Sequence, residues 1–438
     1  MKNKANAKIL LNIINTLACE LLMVFVVKAS YPNDYFGYVN GYVIFALLYL
    51  ILLVMFGKTF DSFDVGDTTT TDLFISYSLT LLFCNFIIYI VESLTVYSFV
   101  SILPIIMLQI VGMILSAILL MLEDKYMRGK FPPTRFICIY GEEHEELIGK
   151  LNNPNDLSMH IVKSYDVKDL KNKKLNDLFV DIDGIITLDI NHTEKKKLFK
   201  YCYQNKLVVY DMPSISDMLI ASGNILHMVD TPIIKINKFG PNQFESIMKR
   251  FIDVVGSFVL IVITSPIMLV SAIAIKLNDG GDVLFKQKRL TKDEKEFYIY
   301  KFRSMIMNAE KNTGVVLARE GDDRITKVGK FLRKTRFDEL PQLFNILKGD
   351  MTFVGPRPER PEIYKKITKD FPEFKYRLVV KAGLTGYAQI YGKYNTSLRD
   401  KLLLDLYYIE NYKLIDDIKL LLKTIKVIFK PELTEGVK

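Results

Sequence analysis

Four apolar segments within the first 122 residues constrain the fold more than any other feature of the chain. A helix that crosses a bilayer needs about 20 apolar residues, and runs of that length are typical of membrane proteins. The first run is long and lacks a small-residue cleavage site, so we expect a membrane span instead of a cleavable signal peptide. We predict four transmembrane helices in residues 1–124, with spans at Ile9–Val27, Tyr42–Phe56, Leu73–Val91 and Val100–Leu122.

Charged residues around these segments predict their orientation. Basic residues flank the first and fourth segments on their outer sides: Lys2, Lys4, Lys8, Lys125, Arg128, Lys130 and Arg135. Because basic flanks face the cytoplasm, both the N-terminus and everything after the fourth segment are expected on that side. The net charge of +9 also suits a surface of anionic lipid. The sequence contains no basic–aromatic recognition motif, so nucleic acid is not an expected partner.

Residues 125–237 show the alternating pattern of a soluble α/β domain. Such alternation predicts a parallel sheet with crossover helices, as in a Rossmann-like fold. The first strand is followed by Gly141-Glu142-Glu143-His144, where dinucleotide binding needs several glycines. We therefore predict a degenerate domain with a structural or regulatory task, and nucleotide binding is the less favoured alternative. The predicted strands and helix are Arg135–Tyr140, Gly184–Leu188, Lys206–Tyr210 and Thr193–Gln204.

A fifth apolar segment, Phe251–Leu277, interrupts the soluble part of the chain. Ser265 and Pro266 lie at its centre, and a proline inside a helix removes one backbone donor and bends the helix. A complete fifth span would separate the basic region 286–438 from the α/β domain across the membrane. We therefore predict a re-entrant helix at 251–277 that breaks at Ser265-Pro266 and returns to the same side. A kinked fifth span is the alternative.

Basic residues stand immediately before this fifth segment. Lys249 and Arg250 are expected at the membrane–water boundary, and Asp253 shares a helical face with Arg250. Two cations at that boundary suit the phosphate headgroup of a lipid. Taken alone the pattern is weak, because lysine and arginine anchor many apolar helices.

An acidic pair, Asp338 and Glu339, comes shortly before Pro341. Proline is tolerated in the first turn of a helix, so the pair is expected at the N-terminus of a helix over Pro341–Leu347. That end carries free amide donors and partial positive charge, which favour phosphate nearby. One carboxylate can receive a phosphoryl group in a covalent step while the other holds a divalent cation. Helix capping alone is the alternative role for both.

Cations surround the acidic pair in the sequence. Lys301 and Arg303 follow a predicted strand at Phe297–Tyr300, and Arg357 stands between two prolines. A guanidinium restrained in this way can bind two phosphate oxygens at once. Standing alone, the motif favours the alternative, a stiff surface turn with a solvated arginine. The amphipathic stretch Ile415–Lys430 is typical of a helix at the bilayer interface or of one packed on a core.

Together these residues resemble the large bacterial polyprenyl-phosphate sugar-1-phosphate transferases of the monotopic phosphoglycosyl transferase superfamily, which initiate exopolysaccharide, capsule or O-antigen synthesis. The resemblance covers about residues 238–430, nearly all of a predicted catalytic domain at 238–438. It rests on an ordered series of motifs: Lys249-Arg250-x-x-Asp253, Ser265-Pro266, Phe285-x-Gln287-x-Arg289, Lys301-Phe302-Arg303-Ser304-Met305, Asp338-Glu339-Leu340-Pro341-Gln342 and Val354-Gly355-Pro356-Arg357-Pro358-Glu359.

The resemblance implies a reaction in which hexose-1-phosphate passes from a UDP-sugar to undecaprenyl phosphate and UMP is released. Asp338 would be the nucleophile that carries the sugar phosphate, and Glu339 would be the ligand of Mg²⁺. Glucose and galactose are the sugars that this resemblance favours, and N-acetylated hexoses are the alternative. The remaining substrate-binding positions would be Lys249, Arg250, Asp253, Lys301, Arg303, Arg357, Glu359 and Asp405.

The resemblance also implies a bacterial inner membrane location, a cytoplasmic catalytic domain, and membrane lipid and downstream glycosyl transferases as partners. A homodimer fits the twofold pairing common among oligomeric proteins. The chain departs from the family pattern at Ala382, where proline is usual, and at Tyr387, where tryptophan is common. Both departures bear on the fit of the sugar. A catalytically silent membrane scaffold that recruits glycosyl transferases is the alternative function, and the intact acidic pair disfavours it.

Overall fold

The computed structural model of the protein describes residues 2–30, 39–141, 145–151, 159–172, 175–236, 240–307, 322–392 and 396–428. Contacts divide the chain into two units, Met1–Ser214 and Ile215–Lys438. Residues 215–236 therefore belong with the second unit, although the sequence pattern assigned them to the central α/β domain. The boundaries 1–124, 125–237 and 238–438 stay predictions.

The first unit begins with long apolar helices. Each of the four predicted apolar segments lies within one of them: α1 (Lys2–Ser30), α2 (Val39–Phe60), α3 (Thr70–Thr95) and α4 (Leu103–Lys130). Together with one helix of the second unit, five described helices are long and apolar enough to cross a membrane, which is consistent with a membrane protein. Many apolar side chains on these helices are exposed, as in a helix whose outer face contacts lipid.

Polar side chains join these helices to one another. Asn15 Nδ2 donates to Glu123 Oε2 at 2.9 Å, which links α1 to α4. Tyr49 Oη donates to Asn85 Oδ1 at 2.9 Å, and Asn85 Nδ2 donates to Gln109 Oε1 at 2.9 Å. Hydrogen bonds of this kind hold helices together where lipid offers no hydrophobic driving force between them.

A four-stranded parallel sheet follows, with the strand order β2-β1-β3-β4. The strands are β1 (Thr134–Tyr140), β2 (Met159–Asp166), β3 (Gly184–Leu188) and β4 (Val208–Asp211), and the helices are α5 (Glu145–Leu151), α6 (Leu175–Leu178) and α7 (His192–Asn205). The prediction of a parallel α/β sheet is confirmed. Strand β2 was not predicted, because its sequence mixes polar and apolar residues without clear alternation.

The glycine after β1 has a structural reason. Gly141 N donates to Leu188 O at 2.9 Å, and a Cβ at Gly141 would collide with Asp189 O. The close approach of two strand ends therefore requires this glycine without any bound nucleotide. Residues 142–144, which complete the degenerate motif, lie outside the described residues.

The second unit contains the remaining elements. Its strands form three two-stranded sheets, β5 with β6 and β7 with β8 antiparallel, and β9 with β10 parallel. In chain order the elements are α8 (Ile215–Ala221), β5 (Asn224–Met228), β6 (Thr231–Lys235), α9 (Gln243–Asp279), β7 (Leu284–Leu290), β8 (Glu296–Phe302), α10 (Lys327–Lys334), α11 (Gln342–Lys348), β9 (Thr352–Val354), α12 (Pro361–Asp370), β10 (Gly383–Thr385), α13 (Tyr387–Tyr391), α14 (Leu398–Glu410) and α15 (Leu414–Ile428).

Helix α9 contains the fifth apolar segment and is continuous through Pro266. Asn242 and Glu245 form a reciprocal capping box at its start, and Gly280 ends it with a positive φ of 70°. Pro266 has no N–H to donate to Val262 O, and Ser265 Oγ donates to that carbonyl at 2.8 Å instead. The expected change at Ser265-Pro266 is therefore a replaced hydrogen bond within one helix, not a division into two helices.

Helix α9 is buried at two places, at Asp253 and Ser257 and again at Met268, Ser271 and Ile275, while most of its other side chains are exposed and apolar. The buried face packs on a core built from β8, α11, β9, α14 and α15. That core contains large apolar side chains in close packing. Its central members are Phe297, Ile346, Met351, Phe353 and Ile409.

Candidate active site

The acidic pair lies in a tight turn between α10 and α11. Residues Phe337–Glu339 form a single 3₁₀ turn, entered through Arg336, whose φ is 60°. Pro341 is the N-cap of α11, so this helix begins one residue later than predicted. Asp338 and Glu339 therefore lie directly before α11, and adjacent positions point their carboxylates in different directions.

Three cations surround Glu339. Lys301 Nζ lies 2.7 Å from Glu339 Oε1, and Arg357 Nη2 lies 3.4 Å from the same oxygen. Arg336 Nη1 lies 3.6 Å from Glu339 Oε2. The structure thus brings together three residues that the sequence predicted, Lys301, Glu339 and Arg357, and adds Arg336. The basic run directly before the acidic pair was the signal for Arg336.

Asp338 is the buried member of the pair, with 8% of its surface exposed. In the described part of the chain no ion pair joins its carboxylate. Arg333 lies nearby on α10, where its Nε donates to Ser304 Oγ at 2.8 Å. A buried carboxylate close to cations but unpaired is suited to act as a nucleophile.

The surroundings give the two carboxyl groups opposite pKa values. Burial raises the pKa of Asp338 to about 6, the charge of Glu339 adds to this rise, and Lys301, Arg333 and Arg336 oppose it. Burial also acts to raise the pKa of Glu339, but Lys301, Arg357 and Arg336 outweigh burial and hold it well below its usual range. Glu339 is therefore firmly ionised, and Asp338 ionises only near neutral pH.

Arg303 lies at the far end of α9. Its Nη2 forms an ion pair with Asp279 Oδ1, the last residue of that helix. Its side chain is 10% exposed, and among the described residues none accepts a hydrogen bond from its Nε or Nη1. Arg303 belongs to the same motif as Lys301, which contacts Glu339, but the ion pair of Arg303 is with Asp279.

The motif that precedes the apolar segment pins α9 to the core. Lys249 Nζ contacts Val354 O at 2.9 Å, Tyr408 Oη at 3.2 Å and Asp417 Oδ2 at 2.5 Å. Arg250 donates to Ile346 O at 2.7 Å and to Leu347 O at 2.8 Å, which satisfies carbonyls at the C-terminal end of α11. Asp253 Oδ1 accepts from Thr352 Oγ1 at 2.9 Å and from Phe353 N at 3.0 Å.

These contacts give the motif Lys249-Arg250-x-x-Asp253 a structural task that its sequence did not reveal. The contacts to Lys249 involve residues that are distant in sequence, so no local pattern predicts them. Binding of a lipid headgroup by Lys249 or Arg250 stays a prediction. Tyr408 and Asp417, which were not predicted, complete the same buried cluster.

Glu359 and Asp405 each form an ion pair with Arg377, in a cluster separate from the acidic pair. Arg377 Nη2 lies 2.7 Å from Asp405 Oδ2, and its Nη1 lies 3.5 Å from Glu359 Oε1. Burial raises the pKa of Asp405, and Arg377 acts in the opposite direction. A substrate contact by either carboxylate stays a prediction. No sequence pattern identified Arg377 as their partner.

The donor atoms around Glu339 suit Mg²⁺ only in one mode. The described residues contain no group of three or more histidine, cysteine or acidic side chains that could enclose a metal ion. Mg²⁺ is commonly bound by one or two carboxylates together with substrate phosphates and water. An ionised Glu339 with a diphosphate substrate fits that mode, because the substrate supplies the remaining oxygens.

The apolar helices and the motif series are typical of a membrane-associated sugar transferase, and comparison with known families agrees with that class. The family model for bacterial sugar transferase matches residues 244–431. A relative from Caulobacter vibrioides is 37% identical and is covered over 71% of its length, and with the family model this shows that the chain belongs to the bacterial sugar transferase family.

Three curated relatives illustrate the match. A UDP-N-acetylgalactosamine-undecaprenyl-phosphate N-acetylgalactosaminephosphotransferase of Aeromonas hydrophila is 37% identical over 238 residues, which are 54% of this chain and 55% of the relative. An undecaprenyl-phosphate galactose phosphotransferase of Salmonella typhimurium is 37% identical over 212 residues, 45% of this chain and 44% of the relative. A UDP-glucose:undecaprenyl-phosphate glucose-1-phosphate transferase of Caulobacter vibrioides is 37% identical over 190 residues, 42% of this chain and 71% of the relative. The chain thus spans about half the length of the first two.

Proposed function

We propose that the protein transfers a hexose-1-phosphate from a UDP-sugar to undecaprenyl phosphate, and so starts a repeat unit of a surface polysaccharide. The observation that carries this proposal is the acidic pair. Asp338 is buried and unpaired in the described structure, while Glu339 beside it is ionised and surrounded by Lys301, Arg336 and Arg357. Such an arrangement supports a nucleophile next to an anion-binding cluster.

In the first step a carboxylate oxygen of Asp338 attacks the β-phosphorus of the UDP-sugar. A bond forms between that oxygen and phosphorus, and the bond from phosphorus to the bridging oxygen of UMP breaks. UMP leaves with the electron pair, and the sugar phosphate remains on Asp338. Lys301 and Arg357, which contact Glu339, stabilise the negative charge that develops on the leaving phosphate.

In the second step a phosphate oxygen of the polyprenyl carrier attacks the same phosphorus. The bond from phosphorus to Asp338 breaks, the carboxylate is restored, and the carrier leaves with a diphosphate-linked sugar. No net proton transfer is required, because both attacking groups are anions. Electrostatic neutralisation is therefore the main task of the surrounding side chains.

Mg²⁺ is the metal that we propose for this site. Glu339 would hold it together with substrate phosphates. When bound, the ion would neutralise diphosphate charge. The low pKa of Glu339 supports this role, since a protonated carboxyl group is a poor ligand for a hard cation.

Helix α9 supports a membrane arrangement in which the catalytic unit stays on one side. Lys249 near its start contacts Val354, and Asp279 at its end contacts Arg303, so both ends touch the same unit. A helix crossing the bilayer would have its ends separated by about 30 Å of hydrocarbon. We propose that α9 enters one leaflet only, with Ser265-Pro266 at the centre of its apolar part, and that the catalytic unit faces the cytoplasm at a bacterial inner membrane.

The names of the relatives support the choice of carrier and leave several sugars open. They are described as acting with undecaprenyl phosphate and with N-acetylgalactosamine, galactose or glucose. We propose glucose or galactose for this chain. Tyr387 stands where tryptophan is common in the family. Its ring centroid lies 4.5 Å from that of Tyr391 and 5.0 Å from that of Tyr407. Downstream glycosyl transferases and a second copy of the chain stay predicted partners.

Release of UMP from a panel of UDP-sugars tests the proposal. The purified full chain in lipid nanodiscs with undecaprenyl phosphate should release UMP with one or two of the sugars, and Asp338→Asn should release none. Asp370→Asn is the matched control, because Asp370 is an exposed aspartate at the end of α12. A full rate from Asp338→Asn would contradict the nucleophile. A silent wild-type protein would favour the scaffold.

A further inference from the structure

Arg303 is a buried cation whose hydrogen-bonding capacity is mostly unused. Only Nη2 is engaged, with Asp279, while Nε and Nη1 are buried without an acceptor in the described part of the chain. Leaving donors of a charged group buried and unsatisfied costs free energy. An anion with several oxygens would satisfy them, and phosphate matches the planar fork of a guanidinium.

An anion reaches the guanidinium of Arg303 by displacing small or flexible groups that pack closely on it. A Cβ at Gly281 would lie 2.5 Å from Arg303 Nη1 and 2.7 Å from Met307 Sδ. The guanidinium edge is therefore covered by a glycine and by a flexible thioether, and Met307 is largely exposed. Lys276 brings a second cation to the same end of α9, where its Nζ donates to Gly280 O at 2.8 Å.

The position of Arg303 connects the membrane surface with the acidic pair. Lys301 lies on β8 and Arg303 follows directly after the strand. Positions two apart along an extended chain are on the same side of it, at a spacing of about 7 Å. Lys301 contacts Glu339, and Ser304, beside Arg303, is bound by Arg333. Leu277, at the end of the apolar segment, is 82% exposed, as expected where lipid covers it.

The cations at the other end of α9 lack this capacity. Lys249 has three partners within the protein, and Arg250 holds two carbonyls of α11. A phosphate that approached either residue would have to displace contacts that fix the core. At Arg303 it would displace only one carboxylate, that of Asp279.

We propose that Arg303 is the subsite for the phosphate monoester of the lipid acceptor, and that Asp279 occupies the guanidinium until this phosphate arrives. The inference rests on the proposed function and assigns to Arg303 the acceptor phosphate instead of the nucleotide diphosphate. The same anion chemistry is present in UDP-sugar and in membrane phospholipid, so the test must separate the three sources.

Separate measurement of the two half-reactions makes that separation. Without acceptor, the wild type and Arg303→Met should release one equivalent of UMP at similar rates. With a short-chain polyprenyl phosphate, Arg303→Met should transfer the sugar about 10- to 100-fold less efficiently through a higher KM for the acceptor. Arg303→Lys should restore part of this loss, because it keeps the charge and loses the fork.

Asp279→Asn gives the result that a structural ion pair would not give. Removing the competing carboxylate should lower the acceptor KM and the dissociation constant for short-chain polyprenyl phosphate several-fold, opposite in sign to Arg303→Met. The exposed pair Lys288–Glu296, 2.9 Å apart, supplies the control: Lys288→Met and Glu296→Gln should change neither half-reaction. Titration with phospholipid vesicles lacking the carrier should not distinguish Arg303→Met from the wild type.

Other results would overturn the assignment. Loss of UMP release in Arg303→Met would show that Arg303 serves the nucleotide. Equal losses in Arg303→Met and Asp279→Asn, with a lower Tm in both, would show a structural pair only. A difference in binding to carrier-free vesicles would assign the site to bulk lipid. No UMP release by the wild type, with carrier binding still dependent on Arg303, would overturn the proposed reaction but keep the subsite.

Discussion

Asp338 and Glu339 are neighbours in sequence with different charge states. The pKa of Asp338 is raised to about 6, mainly by burial and then by Glu339, whereas cations hold the pKa of Glu339 well below its usual range. Two adjacent carboxyl groups with separated pKa values are typical of sites that assign them different tasks. The sequence predicted the pair and its division of tasks, whereas the contact of Arg336 with Glu339 is seen only in the fold.

The first prediction at this scale concerns pH. Because the nucleophile must be ionised, kcat/KM for the UDP-sugar should rise with pH and level off above an apparent pKa near 6. Arg333→Met removes a charge that lowers this pKa, so its profile should shift to higher pH. Initial rates of UMP release between about pH 5 and 8 measure both. A flat wild-type profile would be incompatible with Asp338 as the titrating group.

The second prediction concerns stability. Because burial raises the pKa of Asp338 above its value of 3.8 in an unfolded chain, unfolding becomes easier as pH rises from 3.8 to about 6, and the penalty is constant above that. At pH 7.5 the unfolding free energy of Asp338→Asn should therefore exceed that of the wild type by roughly 1 to 3 kcal/mol, and its Tm should be higher. Calorimetry at low pH is the comparison: the gain should vanish near about pH 3.5. A lower Tm for Asp338→Asn than for the wild type at pH 7.5 would contradict the raised pKa of Asp338.

At the scale of elements, residues near the start of α9 hold two elements next to the active site, β9 and α11. Asp253 fixes the backbone of β9, which leads into the turn of Arg357, and Arg250 fixes the end of α11, whose start lies next to the acidic pair. Residues that look like membrane anchors in sequence thus join three elements of the core. Their position along the chain hides this task, because the partners are about 100 residues away.

Asp253 provides the prediction for this scale. It is 4% exposed and accepts two hydrogen bonds through Oδ1. Asp253→Ala leaves Phe353 N and Thr352 Oγ1 buried without an acceptor, so unfolding free energy should fall by about 2 to 4 kcal/mol. Asp253→Asn keeps an acceptor in the same position and should lose much less. Denaturant unfolding in detergent measures both, and equal losses would show that charge, not hydrogen bonding, holds β9.

Local patterns predicted the elements better than their contacts. The apolar segments, β1, β3, β4 and α7 were found from sequence, because periodicity and turn residues determine them locally. Strand β2 escaped detection because its burial depends on the sheet and not on its own pattern. The continuity of α9 through Pro266 depends on one side-chain hydrogen bond, from Ser265, that hydropathy cannot reveal. The pairing of Arg377 with Asp405 is likewise a tertiary contact.

For the whole molecule, the central question is how the second unit meets the membrane. Helix α9 has 37 residues, about 55 Å at 1.5 Å per residue, which exceeds the thickness of a bilayer core. It packs on its own unit around Asp253–Ser257 and around Met268–Ile275 and exposes apolar side chains elsewhere. Because both ends of α9 contact the same unit, this arrangement agrees with the proposed entry into one leaflet and not with a complete crossing.

Cysteine labelling in spheroplasts tests this arrangement. Ser246→Cys in the first turn of α9 and Lys292→Cys after its end should both resist a membrane-impermeant thiol reagent until the cells are lysed. Ser98→Cys, between α3 and α4, should react in intact spheroplasts and serves as the positive control. The native cysteines Cys19, Cys84, Cys138 and Cys202 are buried and give a low background. Labelling of Lys292→Cys alone from outside would establish a fifth span.

The most direct test of the central claim is the mass of one peptide. Trypsin should cut after Arg336 and Lys348, which isolates residues 337–348 with Asp338 and Glu339 as the only carboxylate side chains. After incubation with UDP-sugar and no acceptor, this peptide should carry one added hexose phosphate at Asp338 and lose it when polyprenyl phosphate is supplied. An unmodified peptide beside a stoichiometric burst of UMP, or an adduct on Asp338→Asn, would contradict transfer through Asp338.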